Sequence, residues 1–197
     1  MYFLENTRKP EGFGGKLMPG MMNLGHRALA WWGLAFVSPS LSAHVLDCGC
    51  GGGANGKTLL QKCPKGRAFG IDHSPVSVES SRAKNKAAIE EGRCEVLCAS
   101  VEDLPFESGS FDLVTAFETV YFWPELAGNF FEIFRVLRAG GTFLICNECG
   151  AWEKVVNGMR VYRANELKAR LEQAGFCGDT VQQNSWLCLT AKKPQGD

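Results

Sequence analysis

The chain has 197 residues, 45% of them hydrophobic, which is enough to bury a full core in one domain and too few for a second of ordinary size. Its 21 basic and 21 acidic residues cancel and are dispersed, which argues against a nucleic-acid partner: no Lys/Arg stripe is present to neutralise a phosphate backbone. Met1-Tyr2-Phe3-Leu4-Glu5 does not read as a secretory leader, and the longest mostly apolar run, Ala28 to Val37, is too short to span a bilayer, so a cytoplasmic protein without membrane insertion is expected.

In chain order, the first elements are a flexible approach and a helix. Residues 9–25 hold Pro10, Gly12, Gly14, Gly15, Pro19 and Gly20, after which Met21 to Trp32 turns helical. Residues 1–40 are read as a helical lid of the same domain as residues 41–197. The alternative is a helix packed on the sheet by Met22, Leu29 and Trp32. His26 lies in this segment as a candidate general base, or as a packing or capping residue.

The apolar run His44-Val45-Leu46 then enters Asp47-Cys48-Gly49-Cys50-Gly51-Gly52-Gly53, the pattern of a buried strand turning through a glycine loop into a helix. Such a loop lets the backbone approach a ligand closely, since no Cβ intrudes. The acid at Asp47 selects among ligands: a phosphate on the next helix terminus is repelled by it, whereas a cationic amino acid or ribose hydroxyls are welcome. That points toward S-adenosylmethionine, although Gly49, Gly51 and Ala54 also satisfy the G-x-G-x-x-G/A spacing of NAD and FAD enzymes.

A second short strand, Arg67 to Asp72, ends in an acid 25 positions beyond Asp47, where a βαβ unit places its ribose-binding carboxylate. The other reading of Asp72 is a solvated acid capping a helix. Ser74-Pro75 supplies a cap and a first-turn proline for a helix running from Val76 to Gly92, and His73 sits beside Asp72 near the adenine face. Cys94 to Ala99 is the third strand and Ser100 to Phe106 its loop; Phe111 to Phe117 is the fourth, followed by the aromatic cluster Phe117-Glu118-Thr119-Val120-Tyr121-Phe122-Trp123-Pro124. The fifth strand is expected over 141 to 147, and a helix from Asn165 closed by Gly175 precedes two runs at 178 to 183 and 185 to 192. Strands alternating with helices demand a doubly wound, mainly parallel sheet.

Val45 to Gly53, Gly70 to Ser74, Val101 to Phe106 with Phe111 to Val114, and Arg135 to Gly141 form four ordered motifs. On them, residues 43 to 191 resemble the class I S-adenosylmethionine-dependent methyltransferases, the small-molecule type related to the ubiquinone and menaquinone biosynthetic enzymes. The resemblance implies a Rossmann-like seven-stranded α/β sheet with an antiparallel C-terminal hairpin strand. It implies that Asp47, Gly49, Cys50 and Gly51 surround the methionyl part of the cofactor and that Asp72 and His73 face its ribose and adenine. Ser100, Val101 and Glu102 then receive the adenine, Ser100 standing where the family often has an acid, and Phe117 lies by the reacting centre. The product would be S-adenosylhomocysteine and the partner a small-molecule methyl acceptor.

Tyr121 and Trp123 are candidate substrate contacts, and Glu118 a candidate for removing a proton, with space-filling beneath a lid as the alternative. Nine scattered cysteines indicate reducing surroundings and no disulfide framework. Cys146 and Cys149, at the end of the fifth strand, are read as one core residue and one incidental; no further thiolate or imidazole partners complete a tetrahedral site, so no metal is expected. A nicotinamide-dependent oxidoreductase and a non-catalytic S-adenosylmethionine-binding module remain the rival readings.

Overall fold

His44–Cys48 (β1) is buried along all but its first residue, the mark of a strand covered on both faces, and it lies in the interior of the sheet. The structure, a computed structural model, describes residues 28–123, 125–148, 162–184 and 186–196. β1 runs parallel to Arg67–Asp72 (β2) on one side and to Phe111–Phe117 (β4) on the other. Cys94–Cys98 (β3) lies outside β2, and Leu137–Glu148 (β5), Trp186–Lys192 (β7) and Cys177–Gln183 (β6) extend the sheet beyond β4, giving the order β3-β2-β1-β4-β5-β7-β6. β7 is antiparallel to both of its neighbours, as the expected terminal hairpin requires. The chain reverses its direction of travel across the sheet between β1 and β4, and in such sheets ligands bind beyond the carboxyl ends of the strands at that switch.

Helices cover the two faces as separate layers. A helix at 28–34 (α1), Ala54–Lys62 (α2) and Pro75–Lys84 (α3) bury Leu29, Leu34, Leu59, Leu60 and Val78 against one face. Leu126–Val136 (α5) and Ala164–Gln173 (α6) bury Phe130, Ile133, Leu167 and Leu171 against the other. Among the described residues, no helix is long and apolar enough to cross a membrane.

Two departures from expectation have local causes. The helix read as continuous from Val76 to Gly92 breaks at Asn85 into α3 and Lys86–Glu90 (α4). The buried Asn85 amide donates to Gly53 O and Ser81 O, both at 3.0 Å, so a tertiary bond to the glycine loop competes with helical geometry at this residue. β5 begins at Leu137, four residues early, because Leu137 pairs with Phe111 before a bulge and Gly140 and Gly141 pair with Lys193.

Candidate active site

The glycine loop is held open by its own backbone. Gly49 N and Cys50 N both donate to Ile71 O at 2.9 Å, anchoring the loop to the end of β2. Gly49 has φ 75°, and a Cβ placed on it would fall 2.2 Å from Thr119 Oγ1, so this position tolerates neither the left-handed cost nor the volume of a side chain. Gly51, at φ 51°, faces open space and donates its N–H to Asp72 Oδ2 at 2.9 Å. The other Asp72 oxygen accepts the N–H of Ser74 at 2.9 Å, so one carboxylate joins the loop to the start of α3, whose cap is Ser74 as expected.

Asp47 ends up almost wholly buried, at 3% exposure. Its Oδ1 accepts the Thr115 hydroxyl at 2.9 Å, and Asn55, on the first turn of α2, donates to Oδ2 at 3.5 Å. Both partners are neutral. Burial therefore dominates and pushes the carboxyl up to about 7, with Asp72 adding to the rise and the two hydrogen bonds opposing it. A buried acid held by a hydroxyl and an amide is arranged to receive a cation.

Around the rim, His73 is half-exposed with Nδ1 3.7 Å from Asp72 Oδ1. Ser100 and Glu102 form one unit: the Ser100 hydroxyl donates to Glu102 Oε2 at 3.1 Å and accepts the Glu102 N–H at 3.2 Å. An acid is thus bonded to the position where serine replaces the family's usual carboxylate. Arg135 fixes this loop from α5, donating to Phe106 O and Leu104 O while paired with Glu132. Val101 is buried beside it.

Beyond β4, Phe117 is buried against Gly33 of α1, and Glu118 adopts φ 57°. Glu118 Oε2 accepts the Tyr121 hydroxyl at 3.0 Å and Oε1 accepts the N–H of Glu148. Burial pushes the Glu118 carboxyl up to about 7, and burial with the nearby Glu118 charge pushes the Tyr121 phenol well above its ordinary value, keeping it a neutral donor.

Two of the expected contacts have buried side chains with partners inside the protein. The Cys50 thiol turns into the core, 3.8 Å from Ser81 Oγ. Trp123 is as buried as Glu118, its ring parallel to Phe143 and edge-on to Phe130, and its indole N–H is bonded to Thr119. Cys146 is a core residue whose thiol contacts that of Cys188, directly opposite on β7. His26 and Cys149 lie outside the described residues. The sequence reading did not single out Thr115, Asn85, Thr119 or Asn55; a threonine inside the apolar run of β4 and an asparagine inside a helix were the signals available. Among the described residues no group of three His, Cys, Asp or Glu side chains is arranged to hold a metal.

A family model described as a methyltransferase domain matches residues 46–145, from β1 into β5. The chain belongs to the class I S-adenosylmethionine-dependent methyltransferases. Among its relatives is the 24-methylenesterol C-methyltransferase 2 of Oryza sativa subsp. japonica, 33% identical over 100 residues that make up 51% of this chain and 27% of that protein. The chain spans about a quarter of the length of the sterol methyltransferases it matches. Its fold is that of the putative methyltransferase solved with the Haloferax volcanii Trm112 methyltransferase activator (TM-score 0.79, 21% identity, 90% of this chain and 94% of that one). It is also that of geranyl diphosphate C-methyltransferase from Streptomyces coelicolor A3(2), solved with Mg2+, geranyl diphosphate and S-adenosyl-L-homocysteine (TM-score 0.74, 13% identity, 84% of this chain and 78% of that one). S-adenosylmethionine, the family's cofactor, fits the donor set here: a buried acid with neutral partners for the methionyl ammonium, an open Gly51, and the Asp72 carboxylate at the end of β2. Family membership sets aside the dinucleotide reading of the glycine spacing.

Proposed function

We propose that this chain transfers a methyl group from S-adenosylmethionine to a small-molecule acceptor, mainly by holding the two reactants in line. The observation that carries the reading is Asp47, a buried carboxylate at the mouth of a glycine loop, held by Thr115 and Asn55 and ready for a cationic ligand. Bound S-adenosylmethionine supplies an electrophilic methyl group on a positively charged sulfur. The chain's residues divide the remaining work. Asp47 with the backbone of Gly49 and Gly51 orients the methionyl end. Asp72, whose oxygens keep lone pairs beyond the two backbone bonds they accept, takes the ribose hydroxyls. His73 and Val101 flank the adenine, and the Ser100–Glu102 unit accepts from its amino group. Phe117 and Tyr121 line the reacting end and help exclude water.

In this reading residues 1–40 belong to the same domain as residues 41–197 and close over the site. Support comes from α1, which Gly33 seats against Cys146 and Phe117 at the carboxyl ends of β5 and β4. The balanced charge of the chain supports a small acceptor over a nucleic acid, and its free cysteines support a cytosolic setting.

Calorimetric titration with S-adenosylmethionine, S-adenosylhomocysteine and NADH tests the reading, with Asp72→Ala as control and circular dichroism to confirm that the variant folds. Binding of both adenosyl ligands, lost in Asp72→Ala, is expected. A screen of quinols, thiols, amines and arsenite for methyl acceptance then separates an enzyme from a binding module. Binding of NADH alone would overturn the reading.

A further inference from the structure

Glu118 is the one non-glycine residue at positive φ among the described residues, at 57°, directly after β4. A non-glycine residue held there costs on the order of 1 kcal/mol and persists only where its surroundings enforce it. Here they do: its N–H donates to Cys146 O at 2.9 Å, one carboxylate oxygen accepts from Glu148 N, and the other accepts from Tyr121 at 3.0 Å. The side chain is 8% exposed, and the next residue, Thr119, packs on Gly49 of the cofactor loop. A buried carboxylate thus stands where the ends of β4 and β5 meet the loop.

We propose that Glu118 is the counter-charge to the cofactor's sulfonium and the proton acceptor of the reaction, ionised with S-adenosylmethionine bound and taking the acceptor's proton as the methyl group is transferred, whereas uncharged S-adenosylhomocysteine leaves its ionisation as in the free protein. This rests on the methyl-transfer reading and specifies its acceptor as a protic nucleophile, a hydroxyl, thiol or N–H. The acceptor's lone pair forms the bond to the methyl carbon, the electron pair of the broken carbon–sulfur bond stays on sulfur, and the acceptor's proton passes to Glu118. One positive and one negative charge are consumed together, so the buried site is neutral before and after and never carries an unpaired charge.

The ionisable groups facing Glu118 agree with this. Tyr121, from the turn Val120–Phe122, stays a neutral donor, and Glu148 at the end of β5 opposes ionisation. Cys146 on β5 is held protonated by its contact with Cys188 and by burial, and Asp47 faces the loop from β1. With its carboxyl at about 7, Glu118 is close to half-protonated at neutral pH, and a positive charge arriving beside it draws the proton off.

The test uses the full chain and both adenosyl ligands, with the proton count on binding read by calorimetry at pH 7 in phosphate and in Tris, whose ionisation enthalpies differ. Both ligands carry the amino acid end that Asp47 meets, so its contribution cancels in the comparison. S-adenosylmethionine is expected to release about half a proton more than S-adenosylhomocysteine, the amount a half-protonated group gives up on full ionisation. The excess should vanish in Glu118→Gln. It should also vanish in the unaltered protein at pH 8.5, where Glu118 is already ionised, which keeps the test independent of how the variant folds. Equal proton counts for the two ligands at pH 7 would overturn the proposal while leaving the methyl-transfer reading intact. Failure of both ligands to bind would overturn that reading and the proposal with it.

Discussion

Replacing Asp47 by asparagine should stabilise the ligand-free protein at neutral pH while weakening its hold on adenosyl ligands. The carboxyl is raised from the ordinary 3.8 to about 7, chiefly by burial. A rise of that size means that the fold disfavours the ionised acid by about 4 kcal/mol. Below pH 4 the folded and unfolded chains both hold the proton and no penalty exists. As pH rises toward 7 only the unfolded chain has lost it, so stability falls by up to about 1.4 kcal/mol per pH unit, and above 7 the penalty is complete and flat. Glu118, raised from 4.5 to about 7, adds a decline of the same sign over nearly the same window. Asparagine keeps the shape and a bond to Thr115 but cannot ionise. After allowing about 1 kcal/mol for the weaker neutral hydrogen bond, Asp47→Asn should be roughly 3 kcal/mol more stable than the parent at pH 8. At pH 5 the advantage should shrink to less than about 1 kcal/mol, and it should reverse only below about pH 4.5. Urea unfolding at pH 5, 6, 7 and 8 measures this, and the slope remaining in the variant belongs largely to Glu118. Parallel pH curves for the two proteins would refute the assignment of a buried, neutrally partnered acid at this position. Added S-adenosylhomocysteine should raise the parent's midpoint at pH 8 far more than the variant's, because its ammonium group supplies the charge the fold leaves out.

Gly49→Ala should abolish adenosyl binding and destabilise the fold by more than about 2 kcal/mol, through left-handed strain plus contact with Thr119; Thr119→Ala in the same chain should recover only part, because the Thr119 Cβ itself lies 2.8 Å from the added atom. Asn85→Ala removes the two 3.0 Å bonds to Gly53 O and Ser81 O and should cost about 2 to 3 kcal/mol in urea unfolding, with a loss of S-adenosylhomocysteine affinity although Asn85 is buried behind the loop. Gly33→Ala would place a Cβ 2.2 Å from Cys146 Sγ and should lower the thermal midpoint, and Cys146→Ala should restore it if α1 is seated as described.

The elements legible in the sequence were those whose cause is local. An apolar run without alternation identifies β1 as buried on both faces, consecutive glycines identify the loop, and Ser74-Pro75 identifies the start of α3, because each depends on a few neighbouring residues. The antiparallel terminal hairpin is legible only through the family resemblance, because two short runs after a glycine-closed helix do not by themselves place a strand in the sheet. The residues that set the chemistry of Asp47 were not legible, and the reason is geometrical. Thr115 meets Asp47 only because β1 and β4 lie side by side in the register that pairs those two positions, across 68 residues of chain. Asn85 reads as an ordinary helical residue until Gly53 O is brought within its reach.

The aromatic cluster after β4 shows the same limit from the other side. Tyr121 and Trp123 are two residues apart and alike in chemistry, and sequence treats them alike. The intervening turn directs one hydroxyl to Glu118 and the other ring against Phe130 and Phe143. Their polar atoms take different partners: the tyrosine oxygen finds a carboxylate at the end of β4, while the indole nitrogen is satisfied by Thr119. Which partner each polar atom takes is chosen by tertiary structure and is not legible from the two residues' types. The same logic identifies Glu118. Its residue type is common and its neighbours in sequence are ordinary, yet a positive φ and two enforced hydrogen bonds turn a surface-type residue into a fixed, buried acid at the point where the cofactor loop, β4 and β5 converge.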